Sequence, residues 1–195
     1  MKHLIIYVNP EEESFSNEIK EYVINFSKEK GHEVVLRDLY KLGFNPILSK
    51  EDLALEKEEK VQDDVKIEQG HINWADAITF IYPIWWHIPA MMKGYFDRVF
   101  SYGYAYRYEN GKPKGLLPRK KVLRYNPMGS PRELFERNGL RETFERVVDI
   151  YILQSCGLRV VDSILFGGNP RNNENLKEKY LIELNQSLEE HLKKE

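Results

Sequence analysis

The sequence of 195 residues contains one cysteine, which excludes an internal disulfide framework and a cysteine-based zinc cluster. A single thiol suits a reducing compartment without demanding it. No segment approaches the roughly 20 apolar residues of a membrane span. The opening residues, MKHLIIYVNP, hold only a short apolar run before Pro10 and the acidic triplet Glu11-Glu12-Glu13. That is too short for a secretory signal, and a cytoplasmic protein is expected. Neither sign of charge dominates: 29 Lys and Arg against 31 Asp and Glu leave a net charge of −2. This argues against a partner of nucleic-acid backbone, which calls for a basic face. The five histidines, at 3, 32, 71, 87 and 191, have no HxxxH or HxH spacing, so a metal-dependent hydrolase is a poor reading. GxGxxG, GxxxxGK[ST] and GxSxG are all missing. Their absence removes the Rossmann fingerprint, the P-loop and the hydrolase nucleophile elbow.

What is present describes an ordinary folded chain. Hydrophobic residues make up 42%, and twelve Tyr, nine Phe and three Trp are too many to leave in water. A chain this long can bury roughly 70% of its unfolded surface, and one domain over residues 1–195 is expected.

Short apolar runs without alternation read as strands buried on both faces: residues 2–8, 77–82, 120–125 and 159–165, with a further short strand at 33–38. Helical stripes separate them. Phe15, Ile19, Tyr22, Val23 and Phe26 form the first, stopped by Gly31. Val61, Val65, Glu68 and Ile72 form another, and Met92, Tyr95, Phe96 and Val99 follow Pro89. Phe144, Val147, Val148, Tyr151 and Ile152 mark the next, and Leu176, Tyr180, Leu184, Leu188 and Leu192 the last. A short helix is expected around Lys50–Leu55, the charge run Lys57–Lys60 reads as a solvated helix start, and 102–118 read as an ordered aromatic loop. Five alternations of strand and helix predict a doubly wound α/β fold. Its sheet is parallel and five-stranded, in the flavodoxin-like order 2-1-3-4-5 with helices on both faces. Such a sheet binds ligands beyond the carboxyl ends of strands 1 and 3.

Three loops fall at that end. The first carries Ser14, Phe15 and Ser16 at a helix start, where backbone N–H groups and hydroxyls suit an anion. Ser14 reads equally as a plain N-cap. The second is Pro83-Ile84-Trp85-Trp86-His87-Ile88-Pro89. Two Trp and a His between prolines suggest a wall for a flat aromatic ligand, against the alternative of a packed corner. The third is Asn126-Pro127-Met128-Gly129, where Gly129 allows a turn or a close ligand approach. Cys156, beside Gly157 in an apolar context, reads as core.

These residues resemble the NAD(P)H:quinone oxidoreductases of the flavodoxin-like fold, the DT-diaphorase-like family. The likeness spans nearly the whole chain. Its strongest part is IYPIWWHIPAMMKGYFDRVF at 81–100, similar to the family's aromatic loop followed by PAxLKGWFDRVF. NPEEESFS, DLY at 38–40, NP at 45–46, YAYRY at 104–108, KKVL at 120–123 and CG at 156–157 support it. The resemblance implies bound FAD or FMN, with NAD(P)H as hydride donor and a quinone or similar aromatic acceptor. It implies that Ser14, Phe15 and Ser16 lie at the flavin phosphate or ribityl chain. Pro83, Ile84, Trp85, Trp86 and His87 would line the isoalloxazine, and Asn126, Pro127, Met128 and Gly129 would close its other side. It further implies a homodimer in which Tyr106 and Tyr108 reach the second subunit's site.

Two departures stand out. Asn126-Pro127-Met128-Gly129 replaces the family's Thr-Thr-Gly-Gly, and Pro127 lacks an N–H donor. Residues 129–146 hold neither the Tyr nor the His that assist hydride transfer in animal members. With those missing, His87 is expected to donate a proton or hydrogen bond to the reduced quinone, its pKa lying near 6.5. A packed His is the alternative. The helix from Pro89 to Phe100 is apolar on more than one face, which also suggests a homodimer. A second functional reading is an ancillary or regulatory flavoprotein subunit, such as those of potassium efflux systems, or an electron-transfer flavoprotein.

Overall fold

The computed structural model describes residues 1–117 and 120–193. Its centre is a parallel five-stranded sheet. The strands are β1 (Lys2–Tyr7), β2 (Glu33–Asp38), β3 (Ala77–Ile81), β6 (Lys121–Pro127) and β7 (Arg159–Phe166), in the order β2-β1-β3-β6-β7. A separate antiparallel hairpin supplies β4 (Tyr106–Glu109) and β5 (Lys112–Gly115). With the hairpin set aside, the observed order is the expected 2-1-3-4-5.

Side-chain alternation splits the core in two. Leu4, Ile6, Ile78, Phe80, Tyr82 and Val122 face α3 (Asp63–Trp74) and α4 (Ala90–Val99). Ile5, Tyr7, Ile81, Leu123 and Tyr125 face α1 (Phe15–Glu29) and α7 (Glu174–His191). Both faces of β1 and β3 are covered, which is why their sequences are mostly apolar rather than apolar at every second position, with His3 and Thr79 as buried polar exceptions.

Several expectations change. The aromatic loop at 102–118 is in part the β4–β5 hairpin; Pro118 lies outside the described residues. Asn110 and Gly111 turn it with φ of 53° and 73°, the pair of positive values that a two-residue hairpin turn needs. Lys57–Glu59 form the turn that closes α2 (Lys50–Glu56), and α3 starts only at Asp63, so the charge run does not open a helix. After α5 (Arg132–Arg137) and α6 (Leu140–Glu145), the backbone widens into a π-helical segment, Arg146–Leu153. Its expected apolar face divides: Phe144 and Val148 are buried, whereas Val147 and Tyr151 are exposed.

Helix α4 is apolar nearly all round because its own chain covers it. Phe96 and Phe100 are buried, and Tyr95 packs on Phe44 of the preceding loop at 5.4 Å. Its composition therefore requires no partner. A Cβ at Gly94 would sit 2.0 Å from the Pro46 carbonyl oxygen, so only glycine allows this approach. Arg98, also buried, binds Asp52, Asp64 and the Asn45 carbonyl and pins the same loop.

Candidate active site at the carboxyl end of the sheet

The first loop leaves β1 beside α1. Ser14 is the N-cap: its Oγ accepts from the Asn17 N–H at 3.2 Å and from Asn9 Nδ2 at 3.1 Å, and donates to the Glu11 carbonyl at 2.8 Å. The hydroxyl is thus fully engaged in shaping the turn. Phe15 is committed to the core, edge-on to Phe166 at 5.7 Å. Ser16 is buried at the first turn. What this loop presents to a ligand is therefore the first-turn N–H groups, which a helix cannot pair internally, not the Ser14 hydroxyl or the Phe15 ring. Beside it, Tyr7, Asn9, Asn17 and Asp38 bound a cavity of about 230 Å³. Tyr7 Oη is buried beside Ser14 without a hydrogen bond of ordinary geometry, and burial raises its pKa to about 12. Lys20, nearly buried, sits 4.8 Å above the Tyr7 ring, a cation near the helix start that sequence reasoning overlooked.

The second loop is a supported aromatic wall. Pro83 and Ile84 are buried, Trp85 is 57% exposed and Trp86 fully exposed. The Ile84 N–H donates to the Pro127 carbonyl at 2.7 Å, and Ile84 bridges Met128, so the second and third loops are tied together. His87 is half-buried with its ring edge-on to Phe144 at 5.0 Å. Burial first, then the Arg124 guanidinium, hold His87 below its ordinary pKa. The pKa thus lies below the expected 6.5, which favours the uncharged imidazole, a form that can still donate a hydrogen bond.

The third loop is mostly floor. Asn126, Pro127 and Met128 are buried, and only Gly129 is exposed. Asn126 does not point at a ligand, since Nδ2 donates to the Tyr82 carbonyl at 2.8 Å and Oδ1 accepts from Arg124. A Cβ at Gly129 would meet nothing within 4 Å, so the chain itself does not demand glycine there.

The sheet thus brings together the expected residues of loops one, two and three. Tyr106 and Tyr108 stand apart. They line a cleft of about 290 Å³ with Phe96, Phe100, Tyr151 and Ile152. Cys156, in the wall of that cleft, is buried, and burial raises its thiol to about 12, so it behaves as core. Arg124, Asp149 and Phe144 were missed as site residues. Their signal was available: one Arg in the apolar strand KVLRY and one Asp in the apolar run VVDIYI.

A doubly wound parallel sheet, with an aromatic wall and a helix start meeting at its switch point, defines a nucleotide- or flavin-type α/β fold. The profile of the flavodoxin-like fold family matches residues 1–190, and the chain belongs to that family. It is 38% identical over 169 residues to an uncharacterised NAD(P)H oxidoreductase of Haemophilus influenzae, covering 86% of this chain and 84% of that one. It is 31% identical over 180 residues to rat NAD(P)H dehydrogenase [quinone] 1, covering 82% of this chain and 66% of the rat enzyme. Among solved structures, an NAD(P)H:quinone oxidoreductase from Methanothermobacter marburgensis superposes with a TM-score of 0.87 at 32% identity, covering 96% of each chain.

Proposed function

We propose that this protein is a flavin-dependent NAD(P)H oxidoreductase that passes a hydride from NAD(P)H through bound FAD or FMN to a quinone or similar aromatic acceptor. The observation that carries the reading is the exposure of Trp85 and Trp86 on a loop whose flanks are buried and bonded. Two large rings exposed to water on one loop are unfavourable for the free chain and favourable once a flat ring covers them. The residues fit such a group. The N–H groups at the start of α1 suit its phosphate, and the open space over Gly129 leaves room for a ring edge.

When bound, the flavin supplies hydride acceptance and donation. The chain's own residues bind and orient it. Trp85 and Trp86 offer aromatic faces. Pro83 and Ile84 hold the floor dry. His87, its uncharged form favoured, donates a hydrogen bond to the acceptor oxygen as negative charge develops there.

The resemblance further favours a homodimer with Tyr106 and Tyr108 completing the partner's site. Tyr108 is 60% and Tyr151 78% exposed on one aromatic cleft, a surface suited to burial against a second copy. A cytoplasmic location fits this chemistry. The test is reconstitution of the purified protein with FAD and with FMN, followed by NADH and NADPH oxidation with and without a soluble quinone. Quinone-dependent turnover by the isolated protein supports the enzyme over an ancillary or electron-carrier role; flavin binding without turnover favours the latter.

A further inference from the structure

Arg124 is fully buried on β6, one layer beneath the aromatic wall. Its Nε and Nη2 donate to the two oxygens of Asp149 at 2.8 and 3.0 Å, a bidentate pair. The third nitrogen, Nη1, donates to Asn126 Oδ1. Asn126 Nδ2 in turn holds the Tyr82 carbonyl at 2.8 Å, the peptide group that leads directly into Pro83. The guanidinium carbon lies over the Phe144 ring, 4.6 Å from its centre. The His87 ring leans on the same Phe144 ring at 5.0 Å.

The loop Pro83–Pro89 is therefore tethered twice to one side chain: at its entry through Asn126 and the Tyr82 carbonyl, at its exit through Phe144 and His87. Trp85 and Trp86 lie between the two tethers and make few contacts of their own. We infer that Arg124 is a positioning residue that sets the geometry of the Trp85–Trp86 wall, with Asp149 holding its fork in place. The π-helical segment belongs to the same device. Asp149 lies inside Arg146–Leu153, turned inward to Arg124 while its neighbours Ile150 and Tyr151 face outward. π-Turns of this kind recur where a helix must aim one side chain at a functional site.

A buried ion pair is weak grounds for stability, because apolar replacements of similar volume often fold as well. That permits a clean test. The double variant Arg124→Met/Asp149→Leu removes both charges together, so neither is left unpaired, while Asn126 and Phe144 lose their common anchor. Arg124→Lys keeps the charge but cannot reach Asp149 and Asn126 at once or stack flat on Phe144. The readouts are the indole N–H signals of Trp85 and Trp86 in the flavin-free protein, with their fast mobility, and the FMN dissociation constant from fluorescence quenching.

The inference predicts that both variants melt near or modestly below the unmodified protein, with narrowed dispersion and raised mobility of the two indoles. FMN affinity should fall about tenfold, the scale expected when a supporting shell loosens. Folded variants with unchanged indole signals and unchanged FMN affinity would overturn it and leave the pair as a fold element alone. If the double variant does not fold, Arg124→Lys decides in the same way. The inference rests on the flavin reading only for its second readout. Failure of the unmodified protein to bind FMN or FAD refutes that reading, while the indole signals still test the role of Arg124.

Discussion

Strand β1 carries a buried polar group near each end, His3 and Tyr7, and these two residues meet opposite surroundings. His3 is fully satisfied: Nδ1 pairs with Ser27 Oγ at 2.8 Å and Nε2 with Thr79 Oγ1 at 2.7 Å, both side chains buried. Tyr7 Oη, at the other end, makes no hydrogen bond of ordinary geometry. Strand β3 repeats the contrast. Thr79 belongs to the His3 cluster, whereas Tyr82, three residues on, has a buried hydroxyl that also makes no hydrogen bond of ordinary geometry among the described residues. Beyond it stand the exposed Trp85 and Trp86. The amino end of the sheet is built to be closed and the carboxyl end is left incomplete, which is how one fold separates stability from binding.

The largest expected effect lies at the closed end. His3→Leu strands the Ser27 and Thr79 hydroxyls and should cost roughly 2–4 kcal/mol in denaturant melts while leaving flavin affinity unchanged. The same site sets a pH dependence. Burial, then His32 and the N-terminus, push His3 down to about 3. Below pH 6.5 the unfolded chain takes up a proton that the folded chain refuses until about pH 3. Stability from this group is therefore whole above pH 6.5 and declines as pH falls, by about 1.4 kcal/mol per unit. A His3→Gln variant should flatten that slope; an unchanged slope would remove His3 from the account.

At the open end the effects should run the other way. Trp85→Ala should barely move the melting temperature and should weaken FMN or FAD binding roughly ten- to a hundredfold, the worth of one covered aromatic ring. A smaller effect is expected at His87. His87→Phe keeps an aromatic face and should preserve flavin binding, while quinone reoxidation of the reduced protein slows roughly tenfold for one lost hydrogen bond. Stopped-flow separates this from reduction by NAD(P)H, which should be less affected; equal rates with quinone would reduce His87 to part of the wall. Smallest is Ser14→Ala. Its hydroxyl is spent on capping, so a loss of about 1 kcal/mol in stability is expected, with little change in affinity.

The sheet order was legible because both faces of β1 and β3 are buried, which makes those runs largely apolar without alternation. The loops that meet at the switch point followed from that order. The strongest stretch of resemblance turned out to serve two ends. Its Trp85-Trp86-His87 gives the exposed aromatic loop of the proposed site, while Gly94 and Arg98 clamp the Asn45–Pro46 loop and carry structure. The hairpin was missed although Asn110-Gly111 announces it, because its strands are four residues each and KPKG carries no apolar signal to mark the second. Arg124 was missed for a related reason. The run KVLRY reads as a buried strand without saying what its one Arg pairs with, and the partner, Asp149, lies 25 residues away. Ser14 takes its N-cap reading and Asn126 turns away from a ligand for the same cause: polar side chains near a loop are first used by the loop itself.

The most direct test of the central claim is titration of the purified, flavin-free protein with FMN and with FAD, following flavin fluorescence and absorbance. The account predicts saturation at one flavin per chain, with quenched emission as the ring stacks on Trp85 and Trp86. No saturable binding of either flavin by a folded protein would contradict it.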